Sequence, residues 1–148
     1  MYTPAMRSVM VPLALLGACA PPSLDPSIEI TWPGNESVLE QCALFVVEVD
    51  NLELRDPDAN PEPVDGQGHY HILYAENYQV CWRPYCLLDL GVDLEGKTQE
   101  NPANYEISVA LMHNDHKPVV DGKGDDIEAK INLSLFAGQC LEDTGGGD

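Results

Sequence analysis

Tyr105-Glu106-Ile107-Ser108-Val109-Ala110-Leu111 is the stretch on which the reading of the fold turns. Apolar side chains at 105, 107, 109 and 111 alternate with Glu106, Ser108 and Ala110. A period of two places one set on each face of a β-strand. The same alternation returns at Ile127, Ala129, Ile131, Leu133 and Leu135, after a polar loop over 114–126. Toward the N-terminus, 69–75 and 78–82 read as a hairpin turning at Glu76-Asn77, and 86–90 as a short strand. Residues 28–32 form a strand stopped by Pro33-Gly34. Residues 43–54 form another, whose phase changes near Asp50-Asn51 as a bulge requires. Nowhere does a 3.6-residue apolar period persist for three turns. About seven short, turn-punctuated strands predict an all-β fold: an immunoglobulin-like antiparallel β-sandwich over residues 28–137. The Cys…Trp…Cys pattern of antibody domains is absent, so the likeness is one of architecture.

The chain has 148 residues, 44% of them apolar and 22% charged, which suits one globular domain. Seven Lys and Arg against 25 Asp and Glu give a formal net charge of −18. Such a surface repels phosphate backbones and excludes nucleic acid as a partner.

Residues 1–18 carry Arg7 and then an apolar run of roughly ten residues, too short to cross a bilayer about 30 Å thick. The run ends at Leu16-Gly17-Ala18-Cys19, which resembles the lipobox of bacterial lipoproteins. That resemblance implies a signal peptide over 1–18, a lipidated Cys19 as membrane anchor and, with Ala20 following, sorting to the outer membrane. An ordinary secretory signal cleaved near Ala18 or Ala20 is the alternative. Residues 19–27, with Pro21, Pro22 and Pro26, make a semi-rigid tether. Residues 138–148 form an acidic, Gly-rich tail. Export leaves Cys42, Cys81, Cys86 and Cys140, an even count that reads as two disulfides with three pairings open. The favoured pairs are Cys81 with Cys86, and Cys42 with Cys140.

All four histidines fall in two pairs, Gly68-His69-Tyr70-His71 and His113-Asn114-Asp115-His116. On a strand, positions i and i+2 share a face, so His69 and His71 present two imidazoles side by side. If the strands carrying the two pairs are neighbours, His113 and His116 can join them, with Asp115 or Asp65 adding an oxygen or orienting a ring. Such a nitrogen-rich set suits a divalent copper or zinc ion. The competing reading makes the histidines structural, their rings hydrogen-bonded to loop carbonyls and carboxylates.

The run Gly-His-Tyr-His-Ile-Leu, with the later Leu-x-x-Asn-Asp-His-Lys-Pro, resembles a family of exported bacterial β-sandwich domains of unknown function. The likeness spans about residues 28–136 and maps the family's pattern onto Gly68, His69, His71, Asp115, His116 and Pro118. It implies the fold and export; His113 and the cysteines stand outside the pattern.

No Gly-x-Ser-x-Gly, phosphate-cradling loop or dinucleotide fingerprint occurs, so no catalytic residue is expected. Asp56-x-Asp58-x-Asn60 opens like a calcium loop, but Pro61 stands where such a loop needs Gly. Tyr70, Tyr74, Tyr78, Trp82 and Tyr85 fit either cross-strand packing or a platform for a glycan or peptide. The expected protein is a non-enzymatic, lipid-anchored envelope lipoprotein that binds copper or zinc through histidines. The alternative is an adhesion or envelope-assembly module that recognises a protein or glycan through a sheet face.

Overall fold

The computed structural model describes residues 24–90 and 92–138. The expected signal peptide, Cys19, most of the tether, Cys140 and the tail beyond residue 138 lie outside the described residues. Among the described residues the fold is all-β, with no helix and about 54% strand.

The described residues form nine strands: β1 (Ser27–Trp32), β2 (Val38–Glu40), β3 (Cys42–Asp50), β4 (Glu53–Leu54), β5 (Gln67–Tyr74), β6 (Asn77–Cys81), β7 (Tyr85–Asp89), β8 (Ala103–Met112) and β9 (Glu128–Phe136). One sheet has the order β1-β3-β7. The other runs β2-β9-β8-β5-β4, with β6 also paired to β5. Both sheets contribute to one core. Ala43, Phe45 and Val47 come from β3, Tyr70 and Ile72 from β5, Ile107, Val109 and Leu111 from β8, and Ile131, Leu133 and Leu135 from β9. In each strand these are alternate positions, the period of two that the sequence shows. Each large aliphatic or aromatic side chain so buried contributes about 1.5–3 kcal/mol.

Three local departures from expectation have plain causes. The phase change after β3 is not a bulge; Asn51 takes a left-handed conformation (φ 57°) and ends the strand, so β4 starts afresh. The β5–β6 hairpin turns at Ala75 and Glu76, one residue early, with Ala75 at φ 47°. β2 pairs in parallel with β9, and β4 in parallel with β5, so the sheet is not purely antiparallel. Strands of two or three residues are too short to leave an alternation signal.

A Cys81–Cys86 disulfide joins β6 to β7 and so ties one sheet to the other. Cys42 is also disulfide-bonded.

The pairing that positions the site is antiparallel β5–β8. Its register sets His69 opposite Met112, Tyr70 opposite Leu111, and His71 opposite Ala110.

Candidate metal centre

Tyr70, Ile72 and Tyr74 of β5 point into the core, so His69 and His71 project from the other face of the sheet. Both are nevertheless buried, at 0% and 5% exposure. Gly68 lets the strand come this close: a Cβ there would collide with the backbone carbonyl of Met112. After β8 the chain makes a tight turn, in which the His113 amide donates to the Lys117 carbonyl (2.8 Å) and the His116 amide to the His113 carbonyl (2.9 Å). A bridge between Met112 and Pro118 closes it. His116 sits at φ 61°, a left-handed conformation that costs a non-glycine residue on the order of 1 kcal/mol and recurs at functional sites.

This turn brings His116 onto the β5 pair. His69 Nε2 lies 3.0 Å from His71 Nε2, and His71 Nε2 lies 3.2 Å from His116 Nδ1. The three ring nitrogens all fall within 4.8 Å of one another. Ring centroids are 4.7–5.4 Å apart, and Tyr78 stacks on His71 at 4.8 Å with planes 19° apart. Two ligands about 2.05 Å from a tetrahedral ion are about 3.3 Å from each other, close to both short spacings. A ring nitrogen offers one N–H or one lone pair, so Nε2 of His71 cannot bond well to two other ring nitrogens at once. A single cation can attract all three lone pairs.

Electrostatics leave the lone pairs of the β5 pair free. Burial, then the neighbouring imidazoles, pushes His69 down to about pKa 4; burial, then His116, does the same to His71. Both rings are therefore neutral at pH 7, the state that ligates metals. Among the described residues two buried side-chain polar atoms lack a hydrogen-bond partner, His69 Nδ1 and Asn114 Oδ1. Asn114 Nδ2 donates at 3.5 Å to the Glu62 carbonyl, fastening the turn to the acidic loop.

The other expected ligands do not join the cluster. Asp115 is held by Lys117, whose Nζ lies 2.6 Å from Oδ2 and draws the carboxyl below its usual range. His113 lies just past the end of β8, in the turn, and is not among the three clustered residues. Asp65 is exposed in the loop before β5. Sequence reasoning also missed two neighbours of the site. Tyr78 reaches His71 across a hairpin diagonal, and Asn114 is buried although its neighbours are polar; only the strand register and the turn reveal either.

The chain matches no protein-family model, no curated protein and no solved structure. The reading of the site therefore rests on its own geometry.

Proposed function

We propose that the protein is an exported, lipid-anchored envelope lipoprotein whose β domain binds one divalent transition-metal ion through His69, His71 and His116. The observation that carries the metal reading is the approach of three imidazole nitrogens, at 3.0 and 3.2 Å and all within 4.8 Å. His116 is exposed while the other two rings are buried, so an ion would enter from the His116 side. With three nitrogen donors the series of affinities places copper(II) above zinc. Isothermal titration of the purified protein with Zn(II) and Cu(II) tests it. Saturable uptake of one ion per chain, abolished in the His69→Ala/His71→Ala variant, is expected; no uptake, or uptake untouched by that variant, overturns the reading. Anchoring through Cys19 is tested separately: wild type should partition with membranes and Cys19→Ser should not.

One observation favours a second reading, an envelope-assembly module. On the outer face of the three-stranded sheet, Trp32, Val46 and Tyr85 lie in one cross-strand row, with Leu44 beside Leu87 in the next. Trp32, Tyr85 and Leu87 are 51%, 54% and 62% exposed. Glu29 and Glu48 pair further along the same face. An apolar row framed by carboxylates fits a cationic, amphipathic protein segment better than a neutral glycan. A Lys-rich amphipathic peptide should shift the Trp fluorescence of wild type but not of Trp32→Ala/Tyr85→Ala; a response to neutral oligosaccharide instead would overturn that choice of partner.

A further inference from the structure

We infer that Met112 supplies a fourth, sulfur donor to the cluster of His69, His71 and His116 and makes it a copper site rather than a zinc site. The inference rests on the metal reading above and names the metal class.

Met112 is the last residue of β8 and stands directly opposite His69 in the β5–β8 register. Directly opposed residues of an antiparallel pair project from the same face, with Cβ atoms about 4.5–5.5 Å apart. Met112 therefore lies on the face that carries His69 and His71. The rest of that face of β8 is Asn104, Glu106, Ser108 and Ala110, all polar or small. The single long apolar side chain on it falls on the rung of His69. Four residues on, the same turn returns His116 to the cluster, and Met112 is bridged to Pro118 across its base. One short segment thus delivers both a thioether and an imidazole to the β5 pair. Three rotatable bonds let the thioether adapt to the space beside the rings.

No competing fourth donor is evident. Asp115 is engaged by Lys117, and among the described residues no carboxylate or thiol joins the three histidines. The chemistry of the set then decides the ion. Imidazole suits both zinc and copper, whereas a thioether is a soft donor that selects copper(I). Three nitrogens with one sulfur can hold copper in either oxidation state, and the sulfur adds little for zinc.

The test compares wild type with Met112→Leu, a swap of similar volume. Affinities for Cu(I), measured anaerobically against a chromophoric chelator, and for Zn(II) are determined on the purified protein. The expected result is a fall in Cu(I) affinity on the order of tenfold or more with Zn(II) affinity unchanged. Both metals bound as in wild type, or both weakened equally, overturns the role of Met112 while leaving the three-histidine site standing. A wild type that takes up neither ion overturns both readings. Should Met112→Leu fold poorly, copper-edge X-ray absorption of loaded wild type decides: a sulfur neighbour to the copper is expected, and an all-nitrogen and oxygen environment refutes the inference.

Discussion

His71 is the pivot of the cluster, because its Nε2 is the atom in contact with both other rings. Removing it separates the remaining two donors, so His71→Ala should lower metal affinity by more than the roughly 100-fold expected for loss of a supporting residue. Titration calorimetry measures this. The metal-free protein carries a further signature. His69 and His71 protonate near pH 4 when folded and near 6.5 when unfolded, so between these values the unfolded chain binds more protons. Stability must then fall as pH drops through that window. Melting temperatures of metal-free wild type should decline from pH 6.5 to 4, and the decline should shrink in His69→Gln/His71→Gln. An equal decline in both would place the acid sensitivity in other groups.

At the scale of elements, strand β5 holds two ligands and depends on its fit against β8. Gly68→Ala forces a methyl group into the Met112 carbonyl, and overpacking of this kind costs about 1–3 kcal/mol. Urea denaturation reads that loss, and metal affinity should fall with it, since the same shift moves His69. The short Cys81–Cys86 link between sheets contributes about 2 kcal/mol in the chain-entropy model, so Cys81→Ala/Cys86→Ala should lower stability by that order. Cys81 stands opposite Tyr70 on the core face of β5, away from the face that carries the imidazoles, and metal affinity in that variant should stay near wild type. Of these elements, the long strands were legible in the alternation at 105–111 and 127–135. β2 and β4 were not, because two or three residues show no period and are ordered by pairing to β9 and β5.

For the molecule as a whole, a ligand that binds the folded state alone must raise its melting temperature. Metal at about 100 times its dissociation constant should add about 2.7 kcal/mol of stability, visible in a thermal scan of wild type and absent in His69→Ala/His71→Ala. Some features of this protein follow from sequence by itself. The all-β class, the shared face of His69 and His71, and the acidic surface depend on spacing and composition, which are local or additive. Others belong to the tertiary structure. Whether His116 or His113 joins the β5 pair is settled by the β5–β8 register and by a turn that reverses the chain between them. Both histidines of the 113–116 run are equally available in sequence, yet only His116 reaches the β5 pair. Convergence of donors from separate strands is a matter of which backbones hydrogen-bond, and that is decided by burial of the core common to both sheets.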